Sequence, residues 1–340
     1  MFDHRTGSVY SLISRPFDQH TAGAPKRCFG YLRFNSRVSV VAYSEGSIEL
    51  SDTYTAEEEP TETRAIAVVN HKGGVGKTTT AINLGAWLAL EGHSVLVVDL
   101  DPQANATTGL GVDPRRVSSS IYQILVNGTP IEDAIEPTAV RNLFCVPSTI
   151  DLAGAEIELV TAFSRELRLR KALETLEDEF DFVLIDCPPS LGLLTVNSLA
   201  AATEVIVPIQ CEYYALEGLG QLLKNINLIQ TNLNPDLRLC GIVLTMYDGR
   251  TRLSEQVANE VRSHFPGKVF GTVVPRSVRL SEAPSFGQPV ALYDPRSKGS
   301  IAYRALAAEV ADADADGTLE AAAPESEDAG DEAVARVRWR

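Results

Sequence analysis

A chain of 340 residues, 44% of them hydrophobic, can bury a core in one large or two small domains, which excludes a wholly disordered or fibrous protein. Its five cysteines (Cys28, Cys145, Cys187, Cys211, Cys240) show no CxxC spacing, so a disulfide framework and a structural zinc site are set aside. The net charge of −15 would oppose a nucleic-acid partner, but its sign is partly local: residues 309–340 hold ten acids and three arginines, whereas 271–304 hold Arg276, Arg279, Arg296, Lys298 and Arg304 against Glu282 and Asp294.

Residues 1–61 show weak periodicity and close on Glu57-Glu58-Glu59-Pro60, which reads as a flexible extension in which only Val38–Tyr43, preceded by Arg37, is strand-like. Residues 1–20 lack a basic start followed by an apolar stretch, and no apolar run reaches the roughly 18–20 residues of a membrane span, so a soluble, cytoplasmic protein is expected. From 62 to 308, short apolar, β-branched runs alternate with helical patterns. The strands expected are Ala65–Asn70, Val95–Asp99, Phe182–Asp186, Val205–Ile209, Leu239–Leu244 and Lys268–Val274. Helices are expected near Thr78–Leu90, Glu166–Leu176, Leu193–Ala201, Gly218–Thr231 and Leu253–His264. This alternation predicts one α/β domain, a doubly wound, mostly parallel sheet with helices on both faces; the loop described next makes the expected class a P-loop NTPase. Residues 309–340 are expected to form an acidic, disordered tail, since Ala311–Ala335 carries almost no large apolar residue.

The strongest chemical signal is Asn70-His71-Lys72-Gly73-Gly74-Val75-Gly76-Lys77-Thr78-Thr79, between the first strand and the first helix of that domain. Glycines let backbone N–H groups close around phosphate oxygens, the helix N-terminus adds a favourable dipole, Lys77 supplies a point charge and Thr78 offers a hydroxyl to Mg²⁺. The pattern GxxxxGK[ST] wants glycine where His71 stands, and an extra lysine, Lys72, sits near the start of the loop. Asp99 and Asp101 alternate at the end of a buried strand, so one can face the Mg²⁺ shell while the other reaches the γ-phosphate side; Asp101 is assigned to orienting water and Asp99 to the metal. Asp186 ends another buried strand and is expected at the metal with Thr78. Taken singly, a strand-end aspartate can be a helix cap; three beside one P-loop argue for a site.

The segment KGGVGKTT resembles the deviant Walker A motif of the ParA/MinD superfamily, Val98–Asn105 resembles its VDxDPQ motif, and Leu184–Ser190 its Walker B and switch segment. With Pro208–Gly218 and Leu244–Arg250, the likeness covers about residues 64–305 and is nearest the ParA/Soj partitioning proteins. The resemblance implies an ATPase using ATP and Mg²⁺. Its nucleotide site would include Lys72, the loop Gly73–Thr79, Pro208 and Pro275, and Lys72 would reach across an ATP-dependent homodimer to the partner's nucleotide. It also implies nonspecific, nucleoid-associated DNA binding through Arg250 and Arg279 and a ParB-like protein that stimulates hydrolysis; from spacing alone these arginines are equally an ordinary solvated face.

The main alternative is a MinD-like positioning ATPase, which would need a C-terminal amphipathic helix; Ala333–Arg340 alternates with period two and is short for one, so no stable membrane association is expected. The lack of tyrosine after Tyr303 argues against a tyrosine kinase, and the presence of Lys77, Thr78, Asp101 and Asp186 against a non-enzymatic DNA-binding regulator. Cys187 and Cys211 evoke the iron–sulfur cluster of the nitrogenase iron protein, which shares this fold, but read more simply as buried structural cysteines.

Overall fold

The computed structural model describes residues 62–176, 179–212 and 215–313, and the backbone of three earlier strands, Leu12–Ser14 (β1), Cys28–Phe34 (β2) and Arg37–Tyr43 (β3). Two compact units are distinguished, one of residues 1–63 with 177–181 and one of the remainder. In the first, β1, β2 and β3 form an antiparallel sheet in which Cys28 is opposite Tyr43 and Phe34 opposite Arg37. The strand expected at Val38–Tyr43 is therefore present, with two more that the weak patterning did not announce; the rest of the expected flexible extension lies outside the described residues, as does 314–340 of the tail.

The second unit is built on an eight-stranded sheet in the order β11-β10-β9-β4-β8-β5-β7-β6. Its strands are Arg64–Val68 (β4), Val95–Asp99 (β5), Glu136–Pro137 (β6), Leu143–Val146 (β7), Phe182–Asp186 (β8), Glu204–Gln210 (β9), Arg238–Tyr247 (β10) and Val269–Pro275 (β11). All pair in parallel except β6 with β7. Every position of β5 and β8 is buried, as expected of strands covered on both faces. The expected doubly wound α/β class is thus observed, with β4 flanked by β8 and β9 where the chain switches direction, the place where such sheets bind ligands at their carboxyl edge.

The connecting helices are Lys77–Leu90 (α1), Asn105–Gly109 (α2), Leu152–Glu158 (α3), Arg168–Leu173 (α4), Leu193–Ala201 (α5), Ala215–Asn232 (α6), Arg252–His264 (α7), Val278–Glu282 (α8), Val290–Tyr293 (α9) and Lys298–Asp312 (α10). Helix α1 lies so close to the sheet that a Cβ on Gly85 would stand 3.1 Å from both Leu184 and Val97, tighter than ordinary contact. The single helix expected over Glu166–Leu176 is instead α4 between two 3₁₀ turns. Its start is fixed by Asn197 of α5, which accepts from Leu169 N at 3.2 Å and donates to Arg165 O at 2.8 Å, diverting groups a continuous helix would use itself.

The folded domain does not stop at residue 308. Helix α10 continues to Asp312; Val310 is fully buried, its carbonyl accepts from Arg64 at 2.6 Å, and the Glu309 carboxylate accepts from Gly271 N at 2.8 Å and Thr272 N at 2.7 Å. The alanine- and aspartate-rich composition hides this one apolar anchor. Truncation after Ala308 should therefore destabilise the domain by about 3 kcal/mol or more, from the lost valine burial and charge-assisted hydrogen bonds, while truncation after Ala313 should be nearly neutral. Urea unfolding of the two truncated proteins checks this; equal midpoints would refute the anchoring role.

Candidate functional site

The phosphate-binding loop is built by backbone conformation. Gly74 and Gly76 stand at φ 74° and 96°, the left-handed region that glycine enters without strain. Gly73 needs no such φ, and a Cβ built on Gly73 would meet no atom of the chain within 4 Å, so the protein's own packing does not demand glycine there; room for an approaching ligand does. Gly76 caps α1 without any side-chain hydrogen bond, leaving the first-turn N–H groups of a 14-residue helix open to an anion. The loop is fixed from behind. Asn70 donates to Pro208 O at 2.8 Å and accepts from Lys72 N at 2.9 Å, and Thr245 donates to Val75 O at 2.8 Å.

The two lysines of the loop separate. Lys77 is only 7% exposed and its Nζ donates to Lys72 O at 3.1 Å, folded over the cradle. Burial lowers its pKa, with the Asp186 carboxylate opposing that shift. The Lys72 side chain is 46% exposed and reaches away to Glu212 at 3.3 Å, whose other oxygen accepts from Gln210 at 2.6 Å.

Asp186 and Asp99 are paired residues at the ends of β8 and β5, both fully buried. Neither Asp186 oxygen has a hydrogen-bond partner in the structure. Burial pushes its pKa well up and the Asp99 carboxylate adds to the rise, while the nearby Thr78 hydroxyl, short of full hydrogen-bond geometry, and Lys77 pull it down. An orphaned buried carboxylate beside a threonine hydroxyl is a donor set that suits Mg²⁺. Asp99 is different. Its Oδ2 accepts from Thr107 N at 2.8 Å and Thr107 Oγ1 at 2.7 Å, and its Oδ1 from Asp101 N at 3.0 Å. Burial pushes its pKa to about 6 against these three bonds. Asp99, expected in the metal shell, accepts hydrogen bonds here that fold the loop carrying Asp101. The side chain of Asp101 is partly exposed and accepts from Gln103 N at 2.9 Å.

The prolines divide as well. Pro208 reaches the loop through its carbonyl on Asn70, whereas Pro275 ends β11, three strands from β4 on the same carboxyl edge, next to Tyr247. Arg250 is 87% exposed and bonds Asp248 at 2.7 Å, and its hydrogen bonds push that carboxyl down to about 2, with the Arg276 charge contributing. Arg279 bonds Glu282 at 2.8 Å and Asp294 at 3.2 Å.

With this geometry in hand, the comparisons with known proteins are consistent. Residues 63–239 match the family described as AAA domain, AAA_31. The sporulation initiation inhibitor Soj of Bacillus subtilis is 57% identical over 248 residues, 73% of this chain and 98% of that protein. The chromosome partitioning protein ParA of Myxococcus xanthus is 55% identical over 247 residues, 73% of this chain and 87% of that one. The chain belongs to the ParA/Soj family of P-loop ATPases. A crystal structure titled cobyrinic acid a,c-diamide synthase from Mycobacterium smegmatis, with bound ATP analogue and magnesium, matches with a TM-score of 0.64 at 43% identity, covering 72% of this chain and 93% of that one.

In this ParA/Soj ATPase several residues take supporting roles that motif reading does not assign to them. Thr107, Asn70, Thr245 and Glu212 act by holding loops, and three of the four contacts join residues 138 to 170 positions apart, beyond the reach of spacing. Burial pushes the Cys187 thiol up to about 12 and the Cys211 thiol up to about 11, as suits buried structural cysteines. Asp99→Asn should place an amide donor against the Thr107 donors and lower the stability of the nucleotide-free protein by about 1–3 kcal/mol. Thermal unfolding without ATP or metal is the measurement; an unchanged or raised midpoint would return Asp99 to a purely metal-binding role.

Proposed function

We propose that the protein is an ATP-driven dimeric switch that binds DNA without sequence preference and releases it on hydrolysis, in chromosome or plasmid partitioning with a ParB-like partner. The observation that carries the reading is the separation of the loop's two lysines, Lys77 buried over its own cradle and Lys72 turned outward. A lysine directed away from its own phosphate site suits action on the nucleotide of a second copy. Lys77 and the N–H groups of Gly73–Thr79 would hold the β- and γ-phosphates. Thr78 and Asp186 would hold Mg²⁺, which supplies charge neutralisation between those phosphates. Asp101, accessible at the mouth of the site, would orient the attacking water.

The relatives named Soj and ParA support the partitioning role. For DNA, Arg250 and Arg279 present exposed guanidinium groups paired with partly exposed carboxylates, and pairs this open to water are weak enough to exchange for phosphates. Among the described residues no helix is long and apolar enough to cross a membrane, and the segment on which a MinD-like reading would rest, 333–340, lies outside them.

Two expectations test the switch. Lys77→Ala should abolish ATP binding by calorimetry, whereas Lys72→Ala should bind ATP and fail to turn it over; undiminished turnover by Lys72→Ala would sink the in-trans role. Arg250→Ala and Arg279→Ala should each weaken ATP-dependent binding to two unrelated duplexes equally and reduce the magnitude of the log–log salt slope by about 1, with basal ATP turnover intact. Fluorescence anisotropy across a salt series checks this, and unchanged slopes in both variants would remove DNA from the function of this face.

A further inference from the structure

The loop 111–116 and the turn after α8 are locked together by two glycines. Gly111 and Gly287 have φ 84° and 62°; a Cβ on Gly111 would stand 2.9 Å from Gly287 O, and one on Gly287 would stand 3.1 Å from Gly111 Cα. No side chain fits on either, so the two segments touch backbone to backbone and hold a fixed relation. Between them lies a hollow of about 420 Å³ lined by Asp113, Pro114 and Arg115 on one side and Phe286 and Gly287 on the other.

Three contacts tie this hollow to the Arg279 face. Phe286, 64% exposed, stacks on Tyr293 with ring centroids 5.0 Å apart. Tyr293 donates to Glu282 Oε2 at 3.2 Å, and that same oxygen accepts from Arg279 at 2.8 Å. At the far lip, Arg115 and Arg116 are each 87% exposed and share one carboxylate, Asp113, at 3.0 and 3.7 Å. One acid between two arginines leaves a net positive charge on a loop that cannot swing away. An exposed aromatic ring fixed between cationic groups suits a strand of phosphates and deoxyriboses, with charges to the phosphates and an apolar face to a sugar.

We infer that the DNA-binding face extends past Arg279, over Phe286, to Arg115 and Arg116, which make additional phosphate contacts; this rests on the DNA-binding reading above. Asp113 is then a competitor that DNA must displace. The extension is sequence-independent, because contacts to phosphates and sugars carry no base information.

The test uses the full chain with ATP and fluorescence anisotropy on two unrelated duplexes across a salt series. Arg115→Ala/Arg116→Ala should weaken both duplexes by roughly ten-fold to fifty-fold near 0.1 M salt and reduce the magnitude of the salt slope by up to about 2, with ATP turnover in the absence of DNA unchanged. Arg115→Lys/Arg116→Lys should keep the slope. Phe286→Ala should lower affinity at every salt concentration without altering the slope, since it carries no charge, and Asp113→Asn should tighten binding by roughly two-fold to five-fold by freeing both arginines. If Arg279→Ala loses affinity while Arg115→Ala/Arg116→Ala keeps wild-type affinity and slope, the extension is overturned and the Arg279 face stands. If neither changes, the DNA-binding reading fails and the extension falls with it.

Discussion

Everything at this site depends on one costly arrangement, the carboxylate of Asp186 sealed from water at the end of β8 with no hydrogen-bond partner on either oxygen. A buried ionised carboxylate is tolerated only where opposite charge is at hand, and a site without it raises the pKa or opens the structure. Lys77 lies close enough to pull Asp186's pKa down, and the Asp186 carboxylate, in turn, opposes the fall that burial causes in the lysine's. One lysine among Asp99, Asp101 and Asp186 leaves the edge of the sheet short of positive charge. The uncapped N-terminus of α1 lies at the same edge, short of negative charge. A polyphosphate with a divalent cation satisfies both deficits at once, so the protein's unbalanced groups describe the shape and charge of the substrate they suit.

The rest of the fold holds these groups where they conflict. Parallel strands buried on both faces bring Asp99 and Asp186 into register as neighbours, which no flexible loop would do. Asp99 is then hydrogen-bonded by three donors from its own downstream loop, so of the two only Asp186 is left without a hydrogen-bond partner. Anchored by the bond of Asn70 to Pro208 of β9 and by Thr245 of β10, the loop stays open instead of collapsing on its glycines. Strain persists nearby too. Met246 stands at φ 51°, a left-handed conformation unfavourable to a side chain, where the β10 ladder slips its register against β11 between Leu244 and Tyr247.

Much of this was legible in the sequence because it is local. A glycine-rich loop after an apolar strand, and aspartates ending apolar runs, are patterns within a few residues, and Leu193–Ala201 was placed to the residue. What was not legible is non-local. Strand β5 ends at Asp99, and its carboxylate accepts from Thr107, eight residues on, a contact that alternation along a strand does not announce. Strand β7 is four residues long, too short to declare itself, though all four are buried. Composition averages over a window and so places the end of the domain at residue 308, but Val310, one apolar residue among alanines and acids, is buried in helix α10, which runs to Asp312.

Charge gives the last step. The four arginines proposed to meet DNA are held by nearby acids: Asp248 on Arg250, Glu282 and Asp294 on Arg279, Asp113 on Arg115 and Arg116. When a phosphate takes an arginine from its carboxylate, that carboxylate stays beside the phosphate and repels it. Each contact is therefore worth less than a bare guanidinium would give, and a chain of net charge −15 adds long-range repulsion at low salt. On the proposed reading, one chain holds DNA weakly and two chains joined by ATP hold it through twice the contacts, with the gain multiplying in the equilibrium constant. Losing the dimer on hydrolysis then suffices for release, with no change required in the arginines themselves. The path from one event to the other is short: β10 bonds the phosphate loop at Thr245, bends at Met246, receives Arg276 N on Tyr247 O at 3.0 Å and reaches Arg250 five residues after its loop contact.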